Sequence, residues 1–150
     1  MPRGTYIISD KTIQPTQPGP RAGLIASRDL HIQALDRCHR DCAVATTKIN
    51  GKQTLVGSIY LDIKKPAAPK WLEDLLNMAN KKKLPLLLAM DSNAHSSLYG
   101  PDNNSRGDEF EDLILQHGLE VHNEGPAPTF ETKRGDKNIA THIDLSLIHI

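Results

Sequence analysis

The stretch Leu84-Pro85-Leu86-Leu87-Leu88-Ala89-Met90-Asp91-Ser92-Asn93-Ala94-His95 decides how this chain is read. A near-continuous apolar run of this length predicts a central strand buried on both faces. The run stops on polar side chains, and in α/β sheets ligands collect at the carboxyl ends of strands. Asp91 and Asn93 stand two apart, so strand alternation points their side chains the same way. An aspartate accepts a proton or orients a water. An asparagine amide donates to a phosphoryl oxygen as charge builds on it. The pair suits hydrolysis of a phosphate ester. Asp and Asn are also common turn formers, and a plain strand-ending turn accounts for the two residues taken alone.

Upstream, Trp71, Leu72, Leu75, Leu76 and Ala79 mark one face of a helix over Trp71–Asn80, with Pro69 just before it. Lys81 to Lys83 suits the C-terminal end of that helix, where the dipole favours cations. Cys42 to Ile49 alternates and is β-branched, Gln53 to Leu61 returns, and Asn50-Gly51 between them is a strong hairpin signal. Ala22 to Ala26 is suited to a buried strand, Tyr6 to Ser9 to a short one, and Gln14 to Pro20 to a loop. Downstream, Ser105 caps a second helix that carries Asp108 in its first turn and ends near Gly118. Leu119 to His122 predicts a short strand, Glu124 to Pro128 a turn, and Thr129 to Glu131 a strand edge. Lys133 to Asn138 predicts a polar hairpin tip and Ile143 to Ile148 a last strand.

At 150 residues the chain holds one domain at most and can bury a real core. Its 18 basic and 18 acidic side chains cancel, which argues against a strongly basic nucleic-acid module but not against an enzyme that grips DNA through a local patch. Cys38 and Cys42 lie four apart, too close for a disulfide to be expected. With His31 and His39 nearby a zinc site is conceivable, but neither C-x2-C nor H-x3-H is present, and half-buried small residues are the simpler reading. No apolar run approaches membrane-spanning length and no signal pattern opens the chain.

The wider context of the opening stretch resembles the endonuclease domains of non-LTR retrotransposons, members of the endonuclease/exonuclease/phosphatase superfamily. The residues that carry the resemblance are Leu86 to His95 followed by Leu98-Tyr99-Gly100, then Arg106-Gly107 and Leu119-Glu120-Val121-His122-Asn123. Pro128-Thr129-Phe130 and Ile143-Asp144 continue it, with Arg21 to Ile25 and Ser58 to Asp62 upstream. Tyr99 stands where a Trp is usual. The resemblance covers roughly residues 20–144 and implies an α/β sandwich of two mixed sheets with helices outside (DNase I-like), incomplete at both ends.

It also implies roles. Asp91 matches the aspartate that orients or deprotonates the attacking water. Asn93 matches the asparagine on the scissile phosphate. Asp144 matches the aspartate that fixes the tautomer of a catalytic histidine. His95 belongs to the motif, as a substrate contact or as a turn-stabilising hydrogen-bonder. Arg106 is expected either on a phosphate or in an ion pair with Asp108 or Glu109. Thr129 and Phe130 are expected to shape the site.

The parent implied is a Mg²⁺-dependent endonuclease that nicks double-stranded target DNA, in the nucleus, so that a reverse transcriptase of the same polyprotein primes on it with the element RNA. The family's metal-binding Glu, in a Gln-Glu segment, and its Ser-Asp-His segment have no match here, and His149 lies too close to Asp144 to replace the latter. The metal ligands are therefore not assigned, and the 150 residues alone are expected to be inactive. The hexapeptide Leu145-Ser146-Leu147-Ile148-His149-Ile150 is also what a widely used transposon-derived sequencing adapter encodes in one frame. Residues 145–150 are expected to be adapter read-through, with a native apolar strand as the alternative. Two other readings stand beside the leading one: a cellular abasic-site nuclease or phosphoesterase of the same superfamily, and a non-catalytic interaction module.

Overall fold

Asn50 and Gly51 sit at φ 49° and 77°, the two left-handed positions of a two-residue hairpin turn. They join β4 (Cys42–Ile49) to β5 (Lys52–Tyr60) in an antiparallel pair whose register runs from Ile49 opposite Lys52 to Cys42 opposite Ile59. The computed structural model describes residues 5–11, 15–125 and 127–149. Gln14 of the expected loop, Pro126 of the expected turn and Ile150 of the final hexapeptide lie outside the described residues.

From β5 the chain enters α1 (Lys70–Lys81) and returns as β6 (Leu86–Asp91), parallel to β5. A parallel return needs such a crossover, and the helix buries Leu72, Leu75, Leu76 and Ala79. After α1 the chain turns at Lys83, φ 52°, where Lys83 N–H reaches Asn80 O and Leu84 N–H reaches Ala79 O. The second helix, α2 (Ser105–Gln116), closes with the same pair of bonds around Gly118: Gly118 N–H to Leu115 O and Leu119 N–H to Ile114 O. Its cap is Asn104, which accepts from Gly107 N–H, so Ser105 is the first helical residue and not the expected cap.

The remaining strands are β1 (Thr5–Ile8), β2 (Leu24–Ser27), β3 (Gln33–Ala34), β7 (Glu120–Val121), β8 (Phe130–Arg134), β9 (Lys137–Thr141) and β10 (Asp144–His149). Among the described residues, six of the ten strands form one sheet in the order β3-β4-β5-β6-β10-β7, and β1-β2 and β8-β9 are separate antiparallel ribbons. Residues 145–149 are thus a central strand between β6 and β7, with Leu145 and Leu147 buried.

One face of this sheet holds the core. Leu55, Ile59, Leu86, Leu88, Met90, Leu145 and Leu147 join one cluster with the apolar sides of α1 and α2, including Phe110, Leu113 and Ile114. Gly57 leaves the room that Leu88 and Val44 fill, since a Cβ there would stand 2.7 Å from Leu88 Cδ2 and 2.9 Å from Val44 Cγ1. The other face differs from expectation. Leu87 is 41% exposed while Leu88 is fully buried. The strand is buried on one side only, because the ribbon β1-β2 approaches β4 and leaves the middle of the sheet open. Cys38 and Cys42 are free thiols. Cys38 exchanges sulfur hydrogen bonds with the Val44 backbone, and His39 packs edge-on to Trp71 at 4.4 Å.

Candidate active site

Asp91 is the last residue of β6. Its register partners are Tyr60 on β5 and Asp144 on β10, which puts two carboxyl-bearing residues side by side at one end of the sheet. With Arg21, Ser58, Asn123 and Ser146 they line a trough of about 640 Å³ on the open face. Burial holds the Asp91 carboxyl above the usual aspartate range. The Asn93 N–H at 3.1 Å opposes that, and the charge of Asp144 adds to it.

Asn93 does not continue the strand. Its backbone turns left-handed at φ 48°, a conformation that asparagine tolerates better than most residues. The expectation that alternation aligns Asp91 and Asn93 therefore gives way to a turn in which Asn93 N–H caps the Asp91 carboxylate. The Asn93 carboxamide donates to Leu61 O at 2.9 Å. An NH2 group has two donors, and this bond uses one of them to anchor the side chain. Asn93 and His95 line a neighbouring groove of about 240 Å³ against Ile63, Phe130, Thr141 and Ile143, beside the β8-β9 ribbon.

The loop that carries these residues is tied down from several sides. Buried Ser92 donates through Oγ to Ile143 O at 2.9 Å and accepts from Ala94 N–H. The Tyr99 hydroxyl donates to Ala94 O at 3.2 Å, and burial pushes its pKa up to about 12. Asn104 Oδ1 accepts from His95 N–H, and Asn104 N–H donates to His95 O.

Arg106 is placed otherwise than expected. Its guanidinium donates to the carbonyls of Lys65, Asp62, Leu61 and Ser92. Asp108 accepts from Asn103, and Glu109 from Ala68 N–H. The expected ion pair is replaced by these main-chain contacts of Nη1 and Nη2, while Nε is buried without a partner among the described residues. Gly107 follows for steric reasons: a Cβ there would overlap the His95 carbonyl oxygen.

At the start of β10, Thr129 Oγ1 accepts from Ile143 N–H and Asp144 N–H, each at 3.1 Å. Asn123 donates to Asp144 O at 2.7 Å and accepts from Ser146 N–H at 2.8 Å. Thr129 thus fixes the main chain that leads into Asp144, and Asn123, which was not singled out in the sequence, fixes it from the other side of Asp144. Arg21 was also missed as a site residue. It grips Asp41 through two bonds of 2.6 and 2.7 Å, reaches Asp62 at 3.0 Å, and lies 4.4 Å over the Tyr60 ring. Only the position of Arg21 within the resemblance pointed to it, because its partners lie 20 and 41 residues away.

Among the described residues no group of three or more His, Cys, Asp or Glu comes together to hold a metal ion. Asp91 and Asp144 supply two carboxylates, whereas Mg²⁺ demands near-octahedral oxygen coordination. The residues present do not form a metal cage, and no step is assigned to one.

A family model described as endonuclease-reverse transcriptase matches residues 54–149. The chain belongs to that family. Among solved structures, the endonuclease domain of TRAS1, a telomere-specific non-LTR retrotransposon, superposes with a TM-score of 0.78 at 26% identity, over 97% of this chain and 67% of that one. A Bacteroides thetaiotaomicron mannosyl-6-phosphatase (TM-score 0.54, 14% identity, 84% of this chain, 55% of that one) shares the fold. So does D. rerio TDP2, determined with a single-strand DNA product (0.51, 11%, 84% and 56%). The chain thus spans only a little over half the length of the last two. No curated protein matches the sequence. The fold of this endonuclease-reverse transcriptase family member is the mixed α/β fold of the endonuclease/exonuclease/phosphatase superfamily. Asp91, Asn93, Asp144, Thr129 and Asn123 all lie within its matched segment.

Proposed function

We propose that this chain is part of an endonuclease that nicks double-stranded DNA for retrotransposon integration. In that role Asp91 is the base or orienting group for the attacking water, Asn93 a donor to the scissile phosphate, and Asp144 the partner of a catalytic histidine. The observation that carries this reading is the turn at the end of β6, which holds Asp91 opposite Asp144, caps the Asp91 carboxylate with the Asn93 N–H and sets Asn93 in the lining of the neighbouring groove. A carboxylate with a raised pKa is a better base than an ordinary one. The second N–H of Asn93 meets the phosphoryl oxygen as its negative charge grows.

Support for a DNA substrate comes from the TRAS1 endonuclease domain, which matches over 97% of this chain. Mg²⁺, element RNA, a reverse transcriptase in the same polyprotein and nuclear location belong to the same proposal. His95 is the second substrate contact, since its imidazole shares the groove of Asn93. Because the described residues form no metal cage, the 150-residue chain alone is proposed to be inactive or nearly so.

The test begins at the source locus. A reading frame that supplies a Gln-Glu segment upstream and Ser-Asp-His downstream is expressed and assayed on supercoiled plasmid. Mg²⁺-dependent conversion to open circle, abolished by Asp91→Ala, is expected. The 150-residue chain should nick no faster than its own Asp91→Ala variant. Robust nicking by the short chain, lost in that variant, refutes the inactivity. A complete frame that leaves DNA intact refutes the endonuclease. The same sequencing decides whether residues 145–150 are genomic or adapter-derived.

A further inference from the structure

Arg106 is the second residue of α2, where a positive charge opposes the helix dipole. It stays there through Nη1, which donates to Lys65 O, and Nη2, which reaches Asp62 O at 3.1 Å and shares longer contacts of 3.4 Å with Leu61 O and with Ser92 O, so that one side chain spans the loops after β5 and after β6. Its Nε is buried without a partner among the described residues. One of these acceptors, Leu61 O, also anchors the Asn93 carboxamide. Asn93 itself sits in the left-handed region, which asparagine tolerates, and its N–H on the Asp91 carboxylate holds it there. The next residue, Gly107, has no side chain because the His95 carbonyl fills that space, and Asn104 bonds both main-chain groups of His95. The first turn of α2 is therefore fastened to the 92–96 loop, and Arg106 carries the connection on to the 61–65 loop.

We infer that Arg106 is a positioning residue: through the shared Leu61 carbonyl it holds the Asn93 carboxamide in a fixed direction. The meaning of that direction for catalysis rests on the phosphodiesterase reading above. The chemistry explains why arginine stands here. A guanidinium presents five donors in a rigid plane and serves several carbonyls at once, whereas a lysine ammonium is a compact point charge on a flexible stem. A fastening that merely held the two loops together would leave the orientation of Asn93 indifferent to how Arg106 is replaced.

The test uses nuclear magnetic resonance of the whole chain and needs no activity. In the unsubstituted protein the Arg106 Nη protons are expected to give separate, slowly rotating signals, unlike those of a freely rotating exposed arginine. In Arg106→Lys the side-chain amide signals of Asn93 are expected to shift or broaden, while those of Asn123, which is held by β10, stay in place. Arg106→Gln should do the same, and serves if the lysine variant does not fold. Rotationally averaged Arg106 signals in the unsubstituted protein overturn the inference. So do Asn93 signals that stay unmoved in either folded variant. A short DNA duplex is then titrated in as a separate arm. A shift of the Asn93 signals on adding DNA to the unsubstituted chain supports the phosphodiesterase reading, whose failure is decided by plasmid nicking with the complete frame; movement of those signals in Arg106→Lys upholds the positioning in either case.

Discussion

Asp91 pays for its place with burial. Its folded-state pKa is raised, first by desolvation and then by Asp144, against the capping Asn93 N–H. The folded protein therefore holds that proton more tightly than the unfolded chain. The contribution favours folding fully below about pH 4, the ordinary aspartate value, and is lost as pH rises through the higher folded value. Asp91→Asn keeps an oxygen for the Asn93 N–H and removes the charge. Its Tm is expected to exceed that of the unsubstituted chain at pH 7 and to match it below pH 4, by thermal unfolding at both pH values. A lower Tm at pH 7 would contradict the desolvation argument. Asp41 has the opposite sign. Arg21 holds its carboxyl below the usual range, so the pair stabilises above about pH 4 and fails as pH falls through the lowered value. Arg21→Met strands buried Asp41 and should cost about 2–3 kcal/mol in urea unfolding at pH 7, a cost that shrinks as pH falls through the lowered Asp41 value. At this scale the sequence showed the residue types of the site but not their partners. Asp91 and Asn93 announced themselves at the end of an apolar run, whereas Arg106 gave no sign of four carbonyls that only the folded backbone brings together.

Elements were readable wherever local chemistry alone determines them. Cys42–Ile49 and the Asn50-Gly51 turn match their predicted bounds because β-branching and two left-handed residues need no tertiary help. The helix expected over Trp71–Asn80 extends one residue at each end, to Lys70–Lys81. The cap of α2 was missed by one position, since Asn104 and Ser105 are both good caps and the choice falls to the residue that also meets His95. Asn104→Ala removes both bonds and should cost about 1–2 kcal/mol, at the upper end for a cap, in denaturant unfolding. A cost of a few tenths would mean that the His95 bond adds nothing. The polar tip expected over Lys133 to Asn138 narrows to a two-residue turn at Gly135 and Asp136, flanked by paired Arg134 and Lys137. Period-2 patterning is weak in so polar a ribbon, which is why its strands were longer than the sequence showed.

For the molecule as a whole, the apolar run from Leu84 concealed an asymmetry. Leu86, Leu88 and Met90 face the helices, and Leu87 and Ala89 face outward, beside Val56 on β5 and Ile148 on β10. Composition cannot separate these two sets, because a strand destined for a layer on each side carries apolar residues on both. Charge offers no help either, with equal numbers of acidic and basic groups. Stability does separate them. Leu88→Ala empties a fully buried position in the central strand and should cost about 2–5 kcal/mol. Leu87→Thr puts a β-branched, strand-favouring side chain at a position already 41% exposed and should stay within about 0.5 kcal/mol. Chemical denaturation over a range of protein concentrations makes the comparison decisive. If Leu87→Thr costs several kcal/mol at high concentration and little on dilution, a second molecule covers the face in solution. If it costs as much as Leu88→Ala at every concentration, the face is closed within one chain and the open trough beside Asp91 is not its resting form. Near-neutrality throughout leaves the sheet one-sided, with Asp91, Tyr60 and Asp144 open to a large ligand approaching from that side.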